Sequence, residues 1–465
     1  MNAPTPLRTV HVVSLGCPKN RVDTELMVGG LLAAGLSMVA SAEEADVLLV
    51  NTCAFIEDSK VESVDAILEL AEVKVRRPNA RLVVAGCLSQ RHAPELRAEM
   101  PEVDFFIGTG EYQRLLEVLE LDAPLLAQPP GLLTGAAHPF ATGSRKGRPE
   151  YIADHLEPRW IAPDTFSTYL KVAEGCSQGC SFCIIPKLRG VQRSRTIEDC
   201  VAEARRLVAH GALEICLIAQ DLTHYGEDIG DPNALAKLVR ALGKVDGLAW
   251  VRLMYAYPHN FTPELVAAMA ETENCCNYLD MPLQHASDRV LKRMNRRTSR
   301  DEMERLLTDL RVAMPDIALR TTLLVGHPGE SDEDFEQLRE FVERWRFDHV
   351  GAFAYSQEEG TASARFPDQI PTAVKRFRRS QILGVQQAIA REKNAARVGK
   401  TLEVIVHGLS EETDLLLEGR HRGQAPDIDG VVYINDAPDD IGRGQLRMVE
   451  ITESHDYDVV GHVVA

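Results

Sequence analysis

The chain has 465 residues, enough for about three domains at roughly 150 residues each. Its hydrophobic content of 45% and charged content of 26% are typical of soluble globular proteins, and no apolar run approaches the roughly 18 residues of a membrane helix. The formal net charge of −18 disfavours broad nonspecific nucleic-acid binding, which depends on lysine and arginine. Because the first residues lack the long apolar core of a signal peptide, we expect a cytoplasmic protein.

Residues 8–122 alternate short apolar runs with helical patterns, which predicts an N-terminal α/β domain with a parallel sheet. Strands are expected at 9–15, 47–51 and 81–85, and a further short strand is expected to end at Gly108.

One cysteine follows each of the first three predicted strands: Cys17, Cys53 and Cys87. Because the carboxyl ends of parallel strands lie at one edge of a sheet, we expect the three thiols to converge there. Three thiolates form an incomplete metal site that leaves a position open. The alternative is three unrelated buried thiols, since free cysteine is among the most buried residue types.

Residues 123–163 are rich in proline, glycine and small residues and are interpreted as a linker. A second alternating region, 164–396, predicts a central partial (β/α)6 barrel that ends in a long helical pattern over 372–396. Its strands are expected at 169–172, 214–218, 250–254, 278–281, 319–325 and 349–354.

The most informative motif is C-x3-C-x2-C, formed by Cys176, Cys180 and Cys183 just after the first of these strands. Structural zinc normally has four ligands, and the next cysteine, Cys200, is seventeen residues beyond Cys183. A 4Fe-4S cluster with three thiolates instead leaves one iron free to bind the amine and carboxylate of S-adenosylmethionine. The spacing therefore favours radical chemistry over a zinc knot. The other cysteines are interpreted as core residues: Cys200, Cys216, Cys275 and Cys276.

Polar residues follow several strands of the predicted barrel, where barrel enzymes place their active sites. They are Gln220 and Asp221 after the second strand, Gln284 and His285 after the fourth, and the turn 326–330 after the fifth. A loop hydrogen bond or a helix cap explains each of them equally well.

Residues 397–465 predict a small all-β barrel, with strands at 402–407, 431–434 and 446–452. This segment has six Lys and Arg against fourteen Asp and Glu, a net charge of −8, whereas an RNA-binding barrel should be basic. An acidic turn contains Asp427 and Asp429. Further acids follow it: Asp436, Asp439 and Asp440.

Five features together resemble the methylthiotransferase family of radical S-adenosylmethionine enzymes. They are the motifs Ser14-Leu-Gly-Cys-Pro-Lys-Asn20, Asn51-Thr-Cys53 and Ala85-Gly-Cys87, the C-x3-C-x2-C loop, and a C-terminal barrel that looks like a TRAM domain. The match covers nearly the whole chain and implies an enzyme with three domains in this order.

The resemblance implies two 4Fe-4S clusters. One is ligated by Cys176, Cys180 and Cys183 and cleaves S-adenosylmethionine to a deoxyadenosyl radical; the other is ligated by Cys17, Cys53 and Cys87. The family inserts a methylthio group at an unactivated C–H bond, with one S-adenosylmethionine as methyl donor and another as radical source. A reductant such as flavodoxin or ferredoxin is implied.

Cofactor contacts outside the cysteines are expected at four positions. Phe182 resembles the position where this superfamily often has an aromatic side chain beside adenine, although core packing is the alternative. Gln220, Asp221 and Arg320 are expected to contact cofactor or substrate.

The family divides between enzymes that modify adenosine in transfer RNA and enzymes that methylthiolate an aspartate of the twelfth small-subunit ribosomal protein. The segments 14–20, 51–55 and 425–430 look like the ribosomal-protein branch. A basic ribosomal protein, free or on the ribosomal particle, would complement the acidic barrel, and we expect Asp427 and Asp429 to bind it. The alternatives are a solvated acidic face, a transfer-RNA enzyme, and a non-enzymatic iron-sulfur scaffold or carrier.

Overall fold

A computed structural model describes residues 7–121, 132–133, 149, 151–438 and 440–464. They divide into two compact units, described separately below. The first unit comprises the described residues within Met1–Pro163, together with Tyr169–Ser177 and Ile184–His210. The second comprises Asp164–Thr168, Gln178–Cys183 and the described residues within Gly211–Ala465. Most of the predicted linker 123–163, and Asp439, lie outside the described residues.

Up to His210, the strands are β1 (Thr9–Ser14), β2 (Ser37–Met38), β3 (Val47–Thr52), β4 (Arg81–Gly86), β5 (Phe105–Ile107), β6 (Leu132–Leu133), β7 (Arg159–Trp160), β8 (Ser167–Lys171), β9 (Ala173–Glu174) and β10 (Arg193–Ser194). The helices are α1 (Pro18–Ala33), α2 (Glu57–Arg76), α3 (Cys87–Glu99), α4 (Arg114–Val118), α5 (Ile185–Arg189) and α6 (Ile197–Ala209).

Beyond His210, the strands are β11 (Glu214–Ile218), β12 (Trp250–Leu253), β13 (Cys275–Asp280), β14 (Ala318–Val325), β15 (His349–Ala354), β16 (Thr401–Leu409), β17 (Leu417–His421), β18 (Val432–Asp436), β19 (Leu446–Ser454) and β20 (Val459–Val463). The helices are α7 (Ala234–Leu242), α8 (Pro263–Glu271), α9 (Asp288–Arg293), α10 (Arg300–Ala313), α11 (Asp332–Trp345) and α12 (Thr372–Ala395). Of the helices in the described part of the chain, none has the length and apolar character needed to cross a bilayer.

The first unit contains a parallel five-stranded sheet in the order β2-β1-β3-β4-β5. Its central strand β3 is buried throughout, and alternate residues enter two different cores. Leu48 and Val50 pack into one core, whereas Val47 and Leu49 pack into the other. This two-sided burial is typical of a parallel sheet covered by helices on both faces, so the predicted N-terminal fold is confirmed.

The second unit contains the central sheet, with its strands in the order β15-β14-β13-β12-β11. The pairings from β11 to β15 are parallel, as predicted for successive β/α units. Ser299 and Ser331 begin α10 and α11 with capping boxes, in which each serine hydroxyl accepts a bond from the backbone of the third helical residue.

The C-terminal segment of the second unit is a closed barrel in the order β16-β17-β18-β20-β19. The all-β prediction is thus confirmed. Its core consists of aliphatic side chains: Val404, Val406, Val432, Ile434, Val449, Ile451 and Val459. Strands β17 and β20 were not predicted, because the charged residues of one and the glycine and histidine of the other interrupt the apolar pattern.

A buried ion-pair cluster joins this barrel to the central sheet within the second unit. Arg420 on β17 donates to Glu214, the first residue of β11, at 2.5 Å, and Arg252 on β12 donates to Glu214 at 2.8 Å. All three side chains are almost completely buried. Burial alone would raise the pKa of Glu214, but the two guanidinium groups lower it to about 2, so this carboxylate stays ionised. The barrel therefore packs at the amino ends of the central strands.

A half-buried carboxyl group in the first unit makes the stability of the protein depend on pH. Burial raises the pKa of Glu157 from 4.5 to about 7, although a hydrogen bond from the Tyr151 hydroxyl opposes this rise. As pH rises from 4.5 towards 7, the unfolded chain loses the proton while the folded chain retains it, so stability decreases.

We expect Glu157→Gln to be more stable than the parent protein at pH 8, by up to about 3 kcal/mol, and equally stable at pH 4. Urea unfolding at both values measures the difference. Glu95→Gln, which changes an exposed glutamate, is the control and should match the parent at both. If Glu157→Gln and the parent protein were equally stable at pH 8, the raised pKa of Glu157 would be contradicted.

Candidate functional site

The structure brings the three N-terminal cysteines together in the first unit. Cys17 directly precedes α1, Cys53 directly follows β3, and Cys87 is the first residue of α3 after β4. Cys53 and Cys87 are buried and Cys17 is exposed. Burial raises the pKa of both buried thiols, that of Cys87 to about 12, and the charge of the nearby Cys17 adds to both increases. The thiols therefore form one cluster, named here the N-terminal cradle.

Two glycines allow the loops of the N-terminal cradle to approach one another. A Cβ atom on Gly16 would lie 2.9 Å from Cys53 Cβ and 3.2 Å from Cys53 Sγ, and one on Gly86 would collide with Asn51 Oδ1. Both glycines also have positive φ angles, of 93° and 97°. A side chain at either position would force the cysteine loops apart.

Asn20 connects all three loops of the N-terminal cradle. Its Nδ2 donates to the carbonyl oxygens of Leu15 and Thr52, both at 3.0 Å. Leu15 lies two residues before Cys17, and Thr52 directly precedes Cys53. Asn20 Oδ1 lies 3.9 Å from Cys87 Sγ, within reach of the thiol proton. The sequence shows Asn20 only as part of the motif 14–20, and its contacts with all three loops become visible in the structure.

Two further polar side chains fix the backbone around Cys53. Asn51 Nδ2 donates to the Asn20 carbonyl oxygen and to Thr24 Oγ1, both at 2.9 Å. Ser63 Oγ accepts from Cys53 N–H at 3.0 Å and donates to the Cys53 carbonyl oxygen at 2.9 Å. The thiol-bearing loop is thus held from both sides.

The N-terminal cradle fits an iron-sulfur cluster in its chemistry. It offers three thiols, the ligands that iron-sulfur clusters prefer, on loops that only glycine lets approach so closely. Within residues 7–121, 132–133, 149, 151–438 and 440–464, no group of three or more His, Cys, Asp or Glu side chains is arranged to hold a single metal ion.

The C-x3-C-x2-C motif begins in the first unit with Cys176. This buried residue follows β9, and its backbone N–H donates to the Gly190 carbonyl oxygen at 3.0 Å. Gly175, with a φ of 84°, lies against the Val191 backbone, where a Cβ atom would collide. The segment before the first ligand is therefore rigidly held.

Cys180 and Cys183 belong to the second unit. Cys183 N–H donates to the Cys180 carbonyl oxygen at 3.1 Å, which closes a tight turn. Ser181, between them, donates through its N–H to the Met294 carbonyl oxygen at 2.8 Å, and its hydroxyl lies 3.2 Å from His327 Nε2. Arg296 Nη1 lies 3.9 Å from Cys180 Sγ. A cation and a fixed backbone thus hold this part of the motif.

The predicted residues at the carboxyl ends of the central strands lie in the second unit. Asp221, after β11, is buried and accepts from Gln178 Nε2 and Thr223 Oγ1, both at 2.9 Å. Gln220 precedes it and is half-buried. Because Gln178 stands between Cys176 and Cys180 in the chain, Asp221 is linked directly to the motif.

Another buried pair occupies the ends of β13 and β14. His285 Nε2 lies 3.5 Å from Glu330 Oε2, and both side chains are fully buried. Glu330 also accepts from Gly326 N–H and from Arg378, both at 2.7 Å. The turn 326–330 is therefore held by its own glutamate.

Phe182 and Arg320 have partners inside the second unit. Phe182 packs against a buried cluster of apolar side chains: Val290, Met294, Leu324 and Tyr355. Arg320 is the third residue of β14, near its amino end, and pairs with Asp429 at 3.0 Å and Asp280 at 3.6 Å. Arg320 was expected to contact cofactor or substrate; its position near the amino end of β14 is opposite the carboxyl end of β11, which Gln220 and Asp221 follow.

The acidic turn differs from the expectation at one position. Asp429 was expected at the surface, but its side chain is fully buried and accepts from Tyr278 Oη and Ala425 N–H, both at 2.8 Å. Burial alone would raise the pKa of Asp429, but His349 and Arg320 lower it. Asp427 is exposed. Only Asp427 of the two therefore presents a carboxylate at the surface, because Asp429 anchors the turn to the central sheet.

Three family models match the chain in order: Uncharacterized protein family UPF0004 over residues 9–108, the Radical SAM superfamily over 170–342 and the TRAM domain over 398–464. Similar proteins named "Ribosomal protein uS12 methylthiotransferase RimO" come from Anaeromyxobacter sp. (strain K), 49% identical over 98% of this chain and 93% of that protein, and from Geobacter sulfurreducens, 46% identical over 98% of each. The relative of the same name from Myxococcus xanthus is 47% identical over 100% of this chain and 93% of its own length.

The chain belongs to the RimO family of radical S-adenosylmethionine methylthiotransferases. Among solved structures, the radical S-adenosylmethionine methyltransferase TsrM from Kitasatospora setae, with cobalamin and a 4Fe-4S cluster bound, aligns with this RimO-family chain at a TM-score of 0.53. The two are 15% identical, and the alignment covers 75% of this chain and 72% of TsrM. At that identity the likeness shows the fold alone.

Proposed function

We propose that this RimO-family chain methylthiolates the β-carbon of an aspartate in ribosomal protein uS12. The observation that carries the proposal is the N-terminal cradle, a second three-thiol site in addition to the C-x3-C-x2-C motif. One site is suited to start radical chemistry and the other to supply sulfur. Nearly full-length similarity to proteins named for this activity supports the assignment.

Each cysteine set would hold one 4Fe-4S cluster: Cys176, Cys180 and Cys183 the first, and Cys17, Cys53 and Cys87 the second. When bound, these clusters and S-adenosylmethionine supply hydrogen-atom abstraction and the transfer of sulfur and methyl. The chain's own polar residues hold the ligands in place: Ser181 and Arg296 around Cys180, and Asn20 around the N-terminal cradle.

The chemistry of an aspartate β-carbon explains why a radical enzyme is needed. Its C–H bond is too weakly acidic for a side-chain base, so the hydrogen leaves as an atom rather than as a proton. A catalytic acid/base pair is not required for that step. Gln220 and Asp221, at the end of β11, and Phe182, inside the motif, are proposed to line the cofactor or substrate position.

The acidic C-terminal barrel is proposed to bind the basic protein substrate, and Asp427 is its exposed residue in the turn. We expect Asp427→Asn to weaken uS12 binding by at most about fivefold at low salt, since an exposed ion pair contributes about 1 kcal/mol or less. Asparagine also tolerates the positive φ of 66° at this position.

Binding isotherms for uS12 at two salt concentrations measure this effect. Asp58→Asn, which neutralises an exposed aspartate on α2, is the matched control and should bind like the parent. Identical affinities for Asp427→Asn and Asp58→Asn would remove Asp427 from the proposed contact.

The same proposal includes the cellular compartment, the state of the substrate and the electron donor. A cytoplasmic enzyme meets uS12 either free or on the ribosomal particle, and a flavodoxin or ferredoxin supplies the electrons that the clusters require. Direct nucleic-acid binding is disfavoured by the barrel's net charge of −8 over residues 397–465.

A reconstitution experiment tests the proposed function. The purified protein, loaded with iron and sulfide, is incubated with S-adenosylmethionine, a reductant and either uS12 or transfer RNA. We expect the methylthio mass increment on one aspartate of uS12. A methylthiolated nucleoside instead would establish the transfer-RNA activity, and the absence of deoxyadenosine in both reactions would favour a non-enzymatic carrier.

A further inference from the structure

Four charged side chains form a buried ion network in the first unit: Asp23, Lys171, Glu174 and Arg189, named here the buried quartet. Each is at most 4% exposed. Arg189 donates to Asp23 at 2.9 Å and to Glu174 at 3.0 Å, and Lys171 donates to Glu174 at 2.8 Å and also to Asp23. Two cations thus bridge the same two carboxylates, so the formal charges balance.

Arg189 differs from the other members because it also reaches the N-terminal cradle. Its Nη2 donates to Asn20 Oδ1 at 2.5 Å, the same oxygen that lies near Cys87 Sγ. The Arg189 guanidinium and the Cys87 thiol therefore share this oxygen as a hydrogen-bond partner. Of the four members of the buried quartet, Arg189 is thus the one that contacts the N-terminal cradle.

The chain positions of these partners connect the two cysteine sets. Glu174 lies two residues before Cys176, and Asn20 lies three residues after Cys17. A bond from Arg189 to each of them ties the segment that leads into the C-x3-C-x2-C motif to the loops of the N-terminal cradle. Short, fully buried bonds of this kind leave little freedom for either segment to move.

We propose that Arg189 is a positioning residue for the iron-sulfur cluster of the N-terminal cradle, which it orients through Asn20 and whose reduced form it stabilises by its charge. The inference rests on the proposed function, in which Cys17, Cys53 and Cys87 hold that cluster. A positive charge and hydrogen bonds near the thiolates raise the reduction potential of a cluster, because reduction adds negative charge.

Lys171 offers a matched control for the charge of Arg189. It donates to the same two carboxylates, and among the contacts of the described residues its amine reaches neither Asn20 nor Cys87. Lys171→Gln and Arg189→Gln therefore remove the same formal charge from the same network, but only Arg189→Gln removes the link to the cradle.

The experiment uses the full chain with Cys176, Cys180 and Cys183 replaced by alanine, so that any reconstituted cluster resides in the N-terminal cradle. Arg189→Gln, Arg189→Lys and Lys171→Gln are compared by an EPR-monitored redox titration and by the rate of iron loss to a chelator. We expect Arg189→Gln to lower the midpoint potential and to lose iron severalfold faster than Lys171→Gln. Arg189→Lys, which keeps the charge, should recover part of the potential.

A second comparison separates positioning from folding. Asp23→Asn combined with Arg189→Gln restores the charge balance of the buried quartet, so we expect its unfolding stability to recover while the potential stays low. Equal potentials for Arg189→Gln and Lys171→Gln, or a potential that recovers together with stability, would overturn the inference. If the triple alanine variant assembles no cluster, the proposed function itself fails, and the inference fails with it.

Discussion

Replacing Cys180 by alanine should abolish the reductive cleavage of S-adenosylmethionine, whereas replacing Cys53 by alanine should leave cleavage intact and stop methylthio transfer. Cys180 lies in the C-x3-C-x2-C motif, and without it the cluster that we propose to bind the cofactor would lose one of three ligands. Cys53 belongs to the N-terminal cradle, which we propose supplies the sulfur, so the loss of this thiol should not affect cleavage. Deoxyadenosine and the modified aspartate, quantified in the same reaction, separate the two effects.

Cys275→Ala is the control for both variants, because Cys275 is a buried thiol on β13 outside both cysteine sets. It should retain both activities. A Cys53→Ala enzyme that transfers sulfur at the full rate would refute the role of the N-terminal cradle, and a Cys180→Ala enzyme that still forms deoxyadenosine would refute that of the motif.

Replacing Arg420 by alanine should destabilise the protein by about 3 to 5 kcal/mol, because it leaves a buried charge without one of its partners. Arg420 and Arg252 both donate to Glu214, whose side chain is fully buried. The loss should be seen in urea unfolding as an earlier transition of the second unit, with the C-terminal barrel released from the central sheet.

Arg391→Ala is the matched control for Arg420→Ala. Arg391 also pairs with a carboxylate, Asp456 at 2.7 Å, but its side chain is 65% exposed, so its removal should change stability little. Similar unfolding curves for the two variants would contradict the structural role assigned to the buried cluster around Glu214.

Many strands could be predicted from the pattern of apolar residues, because buried strands require apolar side chains at regular positions. The predicted strands at 214–218 and 349–354 match β11 and β15 to the residue, and β3 extends one residue beyond its prediction. In contrast, β2 has only two residues, both exposed, so it has no apolar pattern to detect. The domain boundaries after residues 122, 163 and 396 stay predictions.

The sequence predicts the part of the candidate site whose position follows from the order of the strands. Cysteines that follow successive parallel strands must lie at one edge, so their convergence needs no knowledge of side chains. Asn20 and Arg189 are 169 positions apart, and no local pattern signals their contact. Asp429 was misplaced for a similar reason, since its burial depends on Tyr278 and Arg320, which are distant in the chain.

The most direct test of the central claim is mass spectrometry of ribosomal protein uS12 from cells with and without this enzyme. We predict that the methylthio increment on one uS12 aspartate disappears when the enzyme is absent and returns when it is restored. Transfer-RNA nucleosides from the same cells should be unchanged. Persistence of the increment on uS12, together with loss of a methylthiolated nucleoside from transfer RNA, would contradict the account.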